Sequence, residues 1–170
     1  DNLFENLKLE EKYLLFSLLL FNKTPIIEKW LRKSFLSLDI DPTFDIKRSE
    51  KKLSESWISF VKDGLNSEPK VDFINPSIAD FLNDKISVLP KMQEKILDKS
   101  IYLSQFLKLY NSESTLNTIE DTGTVTFRFD YSKVQHDENK FLNTLLTKWN
   151  NFEDKSLFIG ERITALIKFG

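Results

Sequence analysis

The sequence predicts a mainly α-helical fold: a winged helix-turn-helix-like unit with a short β-hairpin, followed by an α-helical segment of repeat-like character. Three observations carry this prediction. Only 4 Gly and 5 Pro occur in 170 residues, which disfavours folds built on many tight turns. Apolar residues recur at a spacing of three to four along most of the chain, and two β-rich segments interrupt this helical pattern once.

Composition narrows the possible functions. Hydrophobic residues make up 41% of the chain and aromatic residues 13%, which excludes global disorder. Lys and Arg number 24 against 26 Asp and Glu, so the basic excess typical of duplex-binding domains is absent and nucleic acid is not expected as a partner. The absence of Cys excludes disulfides, thiol catalysis and Cys-based zinc sites, and fits a cytoplasmic location.

The two ends of the chain have the character of cuts from a longer protein. The sequence begins without Met or a signal-peptide pattern, and it ends in an apolar run at 165–169. The longest apolar segment, 13–21, is far shorter than the roughly 20 residues that span a bilayer. We therefore expect a buried helix there and no membrane segment.

Two helices are predicted first. The segment 9–21 is apolar nearly all round, as expected of a central helix that is buried on several sides. Thr24 and Pro25 then resemble a helix start, with Thr24 as N-cap and Pro25 at the first helical position. The apolar stripe of this second helix consists of Ile27, Trp30, Leu31, Phe35 and Leu38, with Ser34 among them.

A third helix is predicted at 44–55, and a β-hairpin follows it. The segment 57–61 is rich in β-formers, 70–74 alternates polar and apolar residues, and the turn-rich segment 62–69 lies between them. The alternative is that the third helix continues through 57–61, because those residues also keep a helical spacing to Leu53. The hairpin is preferred, since the turn residues fall between the two β-rich segments.

The hairpin leads into another helix with two alternative caps. Asn75 can cap it with Pro76 at the first helical position, or Ser77 can cap it with Asp80 three residues later. A long helix is then predicted from 90 to 110.

These elements predict three parts of the chain. Residues 1–88 are expected to form the winged-helix-like domain, and 89–110 a long connecting helix. Residues 111–170 are expected to form a second helical segment with one short strand, for which the alternating segment 125–129 is the candidate.

Two amphipathic helices are predicted in this second segment, with Asp137 and Asp154 as their N-caps. Helices in series are typical of an α-helical array, although no repeat of fixed period is present. The apolar positions are Phe141, Leu142, Leu145, Leu146 and Trp149 in the first helix, and Leu157, Phe158, Ile163, Leu166 and Ile167 in the second.

A search for chemistry-bearing motifs finds no catalytic or metal-ligating set. The one His, His136, is interpreted as a surface residue near a helix start, and the acidic pairs at 10–11 and 120–121 lack further ligands. The basic run at 47–52 is interpreted as a solvated helix face. No Gly-rich phosphate loop exists, because the glycines are isolated at Gly64, Gly123, Gly160 and Gly170. We expect no enzyme activity and no cofactor.

One segment resembles a known family. Residues 73–82 look like the signature F-x-N-P-S-x-x-D-F, which lies after the ATPase core of the bacterial novel STAND NTPases, signal-transducing ATPases with numerous domains. Further similarity lies in the apolar helix 13–20, in 57–60, and in 101–106, which is similar to an aromatic-x-x-Gln element of the family. The resemblance covers about 9–110.

The resemblance implies a site residue. In related STAND proteins the winged helix packs on the ATPase core, and a His at the strand-to-helix junction faces the nucleotide phosphate. Asn75 stands where that His would be, Ile74 where a Met precedes it, and Asp80 matches a later acid. Asn75 is therefore a candidate nucleotide sensor in the full-length protein, although an Asn has no positive charge to offer. A plain N-cap is the alternative role.

The resemblance also implies a function and partners. It predicts a non-catalytic regulatory or scaffold fragment that relays nucleotide state to a helical sensor region beginning near 111, in defence against phage and alongside an effector such as a nuclease. Its partners would be the ATPase core of the same polypeptide and other protein domains. An apolar patch for the core is expected from Trp30, Phe35 and the helix at 77–86.

Two alternative functions come from other classes. A DNA-binding winged-helix protein would need a basic recognition helix and a basic wing. The other alternative, a cytosolic protein-interaction adaptor, would differ from the STAND module only in its partner. The predicted recognition helix carries Lys47, Arg48, Lys51 and Lys52, whereas Lys62 and Lys70 of the wing face three acids, Asp63, Glu68 and Asp72.

Overall fold

The computed structural model describes residues 2–21, 24–41, 43–110, 118–119, 124–126, 138–154 and 162–164. Across these residues the protein is mainly helical and contains a short antiparallel hairpin, which confirms the predicted fold class. The chain divides into two compact units, Asp1–Ser100 and Ile101–Gly170.

The first unit is built around a winged helix. From α2 to β3 its elements follow the order helix, strand, helix, helix, strand, strand, which is the order of that fold. A short helix precedes them and two helices follow. The elements are α1 (Asn2–Glu5), α2 (Leu9–Leu19), β1 (Ile26–Ile27), α3 (Glu28–Ser37), α4 (Ile46–Leu53), β2 (Ile58–Val61), β3 (Lys70–Phe73), α5 (Pro76–Ser87) and α6 (Pro90–Lys99).

Helix α2 is the centre of this unit. Every residue from Tyr13 to Leu19 is buried, and the helix packs against α3 and α5. The prediction of a helix buried on several sides is confirmed. An all-round apolar helix can satisfy its backbone internally while each of its faces packs against a different neighbour.

The sheet of the first unit has three strands. Strands β2 and β3 pair as the predicted antiparallel hairpin, with Ile58 opposite Phe73 and Val61 opposite Lys70. The alternative of a continuous third helix is wrong, since that helix ends at Leu53. Strand β1 pairs with the other side of β3, so the order is β1-β3-β2 and every pairing is antiparallel.

Strand β1 replaces the predicted start of the second helix. Thr24 does not cap α3, because Ile26 and Ile27 pair with β3 and the helix begins only at Glu28, without a side-chain cap. The amide of Glu28 instead donates to the carbonyl of Pro69, at 2.9 Å. Pairing with a distant strand satisfies the backbone here, so a locally plausible cap is not used.

The predicted long helix at 90–110 is two helices. Helix α6 ends at Lys99, Ser100 takes an extended conformation with ψ of 132°, and α7 runs from Leu103 to Tyr110. A residue with extended ψ cannot continue the i to i−4 bonding of a helix, so the axis is broken there. The boundary between the two compact units falls in the sequence between Ser100 and Ile101, whereas the predicted parts of the chain end at 88 and 110.

The described residues of the second unit include α7, a second sheet and a further long helix. Strand β4 (Thr118–Ile119) pairs antiparallel with β5 (Thr124–Thr126), which pairs in parallel with β6 (Arg162–Thr164). Helix α8 (Glu138–Lys148) confirms the helix predicted after Asp137, and a 3-10 helix at Trp149–Asn151 follows it.

Two predictions for the second unit need revision or lie outside the described residues. The last predicted helix is wrong at Arg162–Thr164, which forms strand β6, because Ile163 pairs with Val125. The predicted strand at 125–129 is described only up to Thr126. His136, the predicted cap Asp137, the acidic pair at 120–121, and residues 127–137, 155–161 and 165–170 lie outside the described part.

Candidate interaction surfaces of the winged helix

The junction between β3 and α5 holds the candidate sensor Asn75. Its backbone is extended, with φ of −141° and ψ of 135°, and its Oδ1 accepts a hydrogen bond from the amide of Ser77 at 3.0 Å. Pro76 occupies the first helical position. Asn75 is therefore the N-cap of α5, and the alternative in which Ser77 caps the helix is wrong.

The cap leaves half of the Asn75 amide available. Oδ1 is engaged by Ser77, whereas no described residue bonds to Nδ2, and the side chain is exposed. Ile74, which precedes it, is 49% exposed even though its amide donates to the carbonyl of Trp57 at 3.1 Å. The junction thus presents one amide donor group and one apolar side chain on a backbone that is held in place.

An aromatic cluster fixes the junction to the domain core. Phe81 of α5 has its ring centroid 5.6 Å from that of Phe4 and 6.2 Å from that of Trp57, and Phe4 also contacts Phe16 edge-on. Lys85 lies over the Phe81 ring at 5.3 Å. Edge-to-face ring pairs and cations over ring faces add to the burial of these residues, so α5 has one defined position in this unit.

The apolar patch predicted for an ATPase core is wrong in most of its members. Phe35 is 3% exposed and packs against Phe44, with ring centroids 5.0 Å apart. Leu82 and Ile86 of α5 are buried as well, and Trp30 is half-buried. The stripe of α3 and the apolar face of α5 complete the core of the domain, because both helices pack against α2.

Three exposed apolar side chains lie together at the wing, whereas others such as Leu36 and Val88 lie elsewhere in this unit. Phe60 is 40% exposed, Val61 43% and Leu65 is fully exposed at the turn between β2 and β3. Lys70 and Asp63 form an ion pair beside this turn. The wing therefore has three large apolar side chains, one ion pair, and two further exposed charges of opposite sign, Lys62 and Glu68. Sequence reasoning missed this surface, although a Leu within a polar turn segment was a signal for it.

Helix α4 has its charges sorted between two faces. Asp45 caps it by accepting from the amide of Arg48 at 3.0 Å, and Glu50 and Leu53 are buried. Lys47, Arg48 and Lys51 are all exposed. Within the run 47–52, the basic residues thus face solvent, whereas Ser49 and Glu50 are buried.

Two ion pairs hold that buried face in place. Arg32 of α3 bonds both carboxylate oxygens of Glu50, with its Nη2 at 2.6 Å from Oε2, and it also pairs with Glu28. The bond to Glu50 raises the pKa of Arg32, and burial raises the pKa of Glu50 although Arg32 opposes that rise. The ammonium of Lys52 lies 2.9 Å from the buried Glu11 of α2.

A buried carboxylate lies at the start of α7 in the second unit. Asp154 accepts from the amide of Leu103 at 2.5 Å and from that of Ser104 at 3.0 Å, and it is 5% exposed. Burial, with Glu153 and Asp154 nearby, raises the pKa of Tyr102 to about 12. Asp154 was predicted to cap a helix that follows it. It caps one that lies about 50 residues before it.

Two further features bear on function. Among the residues that the structure describes, no group of three or more His, Cys, Asp or Glu side chains could hold a metal ion. The same part of the chain contains no helix long and apolar enough to cross a bilayer.

The comparisons with known proteins identify no relative. Neither the family models, nor the curated proteins, nor the solved structures include a match to this chain. The features that bear on function are therefore the winged helix, its junction and its surfaces.

Proposed function

We propose that the chain is a non-catalytic regulatory and scaffold module of a STAND-type NTPase. In this proposal the winged helix docks on the ATPase core of the same polypeptide in one nucleotide state and leaves it in the other, as a rigid body. The change is passed to a helical sensor region in the second half of the chain. The setting would be the bacterial cytoplasm, in defence against phage together with an effector such as a nuclease.

The observation that carries the proposal is the geometry of Asn75. Its Oδ1 is occupied by the cap of α5, so Nδ2 is the atom left to donate to a group on a docked domain. A phosphate oxygen is a suitable acceptor for such a neutral donor. The aromatic cluster around Phe81 gives this donor a fixed position, as a sensor of nucleotide state requires.

The wing supports a protein partner. Fully burying one exposed large apolar side chain contributes about 1.5–3 kcal/mol, so Leu65 offers a gain of this size on docking and the partly buried Phe60 and Val61 offer a part of it. Apolar side chains of this kind form the centre of protein interfaces, whereas a wing that binds DNA needs free cations. Here the Lys70 cation is paired with Asp63, which leaves Lys62 as the one unpaired cation between Ile58 and Phe73.

The reading frame that encodes the chain gives the first test. We expect a phosphate-binding loop of the form Gly-x-x-x-x-Gly-Lys-Ser/Thr roughly two to three hundred residues upstream, the spacing of an ordinary ATPase domain. A start codon directly before this segment would contradict the proposal.

The second test uses two substitutions at Asn75 in the full-length protein. Asn75→Asp keeps an oxygen for the cap but replaces the Nδ2 donor by a negative oxygen, so we expect normal stability with a loss of nucleotide-dependent domain movement. Asp45→Asn is the matched control, because it exchanges the same two side chains at another N-cap. The readout is limited proteolysis with ADP and with a non-hydrolysable ATP analogue. An Asn75→Asp protein whose nucleotide response equals that of the control would contradict the sensor role.

A further inference from the structure

The exposed face of α4 carries free cations. Lys47, Arg48 and Lys51 lie within about 100° of one another around the helix, because each residue turns the chain by about 100°. None of the three forms an ion pair with any residue that the structure describes. They therefore form one basic surface, which we call the α4 basic face.

The acidic residues near this face in the sequence are either bonded to other groups or located at the ends of the helix. Glu50 points inward and pairs with Arg32, and one carboxylate oxygen of Asp45 accepts the capping bond of α4. Glu55 is exposed beyond the last turn of the helix. The balanced charge of the whole chain argues against nucleic acid, but the fold sorts the charges so that this one face is cationic.

The position of α4 in the fold and the composition of its exposed face indicate the same kind of partner. It follows α3 and directly precedes the wing, which is the place of the recognition helix in helix-turn-helix folds. No large apolar side chain is exposed along Ile46–Leu53, all of which the structure describes. Protein interfaces have apolar centres and are depleted in Lys, so the composition of this face favours phosphates over a protein partner.

We propose that the α4 basic face binds the phosphate backbone of duplex DNA, weakly and without sequence preference. Three cations can neutralise about three phosphates, so the logarithm of the binding constant should fall with the logarithm of salt concentration with a slope of about −2.7. The wing adds no free cation cluster, which keeps the affinity in the range of non-specific binding. This surface is distinct from Asn75 and from the apolar side chains of the wing.

Fluorescence anisotropy of a labelled mixed-sequence DNA duplex, titrated with the full chain over a range of salt, tests the proposal. The variant combines Lys47→Gln, Arg48→Gln and Lys51→Gln, and we expect it to bind at least roughly tenfold more weakly at low salt, with most of the salt dependence lost. The single change Glu55→Lys should strengthen binding. Circular dichroism of each variant verifies that the helices are intact.

The matched control removes the same charge elsewhere. It combines Lys29→Gln, Lys91→Gln and Lys99→Gln, three exposed positions outside α4, and should bind DNA almost as well as the unchanged chain. Equal losses in the two triple variants would overturn the assignment to α4, as would the absence of binding at low salt. Equally tight binding of polyglutamate would indicate an acidic protein surface instead of DNA. Because none of these variants changes Asn75 or the wing, their failure would leave the proposed nucleotide response intact.

Discussion

In both α5 and α7 a side-chain oxygen accepts a hydrogen bond from the first turn of the helix, but the two capping residues differ in position along the chain and in burial. The first amides of α5 are capped by Asn75, which lies directly before the helix and is exposed. Those of α7 are capped by Asp154, which comes from about 50 residues further along the chain and is buried. The cap of α5 forms between residues that are close together in the sequence, whereas the cap of α7 forms only when the fold brings two distant segments together.

The difference concerns energy as well as distance. An exposed cap exchanges one bond with water for one with the helix, so its net contribution is about 1 kcal/mol. A buried carboxylate has lost its water and has two amides as replacement, so removing it also leaves two buried donors without an acceptor. We therefore expect the remote cap to be the stronger one.

Asp154→Ala should have the largest effect. Because the amides of Leu103 and Ser104 would lose a charged acceptor in a buried place, the first turn of α7 should lose about 2–4 kcal/mol of protection. Hydrogen exchange of the peptide around 101–110 measures this directly. Asp45→Ala removes an exposed local Asp cap and should cost only about 1 kcal/mol at α4. Equal losses at both sites would contradict the expectation that the buried remote cap stabilises its helix more than an exposed local cap.

The loss of stability on ionisation of Tyr102 at high pH should be the next largest effect. Tyr102 has its pKa raised from 10.0 to about 12, so the stability it contributes is present below pH 10 and is lost as the pH rises through 12. A rise from 10.0 to about 12 corresponds to about 2.7 kcal/mol. Burial also raises the pKa of Tyr13, so tyrosinate absorbance is compared between the unchanged chain and Tyr102→Phe, which should lose one late ionisation step. An unchanged titration in Tyr102→Phe would contradict the assignment.

Asn75→Ala should have a smaller effect. Loss of the bond to the Ser77 amide should destabilise α5 by about 1 kcal/mol, since that amide is near solvent and water can replace the cap. The midpoint of urea unfolding of the full chain measures the change. A loss as large as that in Asp154→Ala would mean that exposure does not set the difference between the two caps.

Asn75→Asp should have almost no effect on stability. Aspartate caps as well as asparagine and places a negative charge near the positive end of the α5 dipole. The unfolding midpoint should therefore lie at or slightly above that of the unchanged chain. A clear decrease would show that the Nδ2 group contributes to stability, and it would weaken the argument that this group is free to bind a partner.

Patterns with local physical causes were predicted well. The buried helix α2, the hairpin of β2 and β3, and the cap by Asn75 follow from apolar periodicity, turn residues and the Asn-Pro pair. Each of these features is decided within one short segment of the chain, the longest being the hairpin from Ile58 to Phe73. The break between α6 and α7 at 100–102 was not predicted, because the residues on both sides of it are good helix formers.

Surface properties were predicted less well. The basic run at 47–52 was interpreted as one solvated face, but Arg32 draws Glu50 inward and so separates acid from base. Phe35 was expected on an open patch and is buried, whereas Leu65 is the fully exposed side chain. Periodicity identifies which residues share a face, but it does not tell which neighbour covers that face.

The sequence by itself determined the helical class, the position of the wing and the residues that can cap α5. These depend on propensity and spacing, which act between near neighbours along the chain. Only the tertiary structure decided that β1 pairs with β3, that Arg32 neutralises Glu50 and that Asp154 caps α7. Each of these satisfies a buried polar group with a partner far along the chain, and burial, which makes such a partner necessary, does not exist until the core has formed.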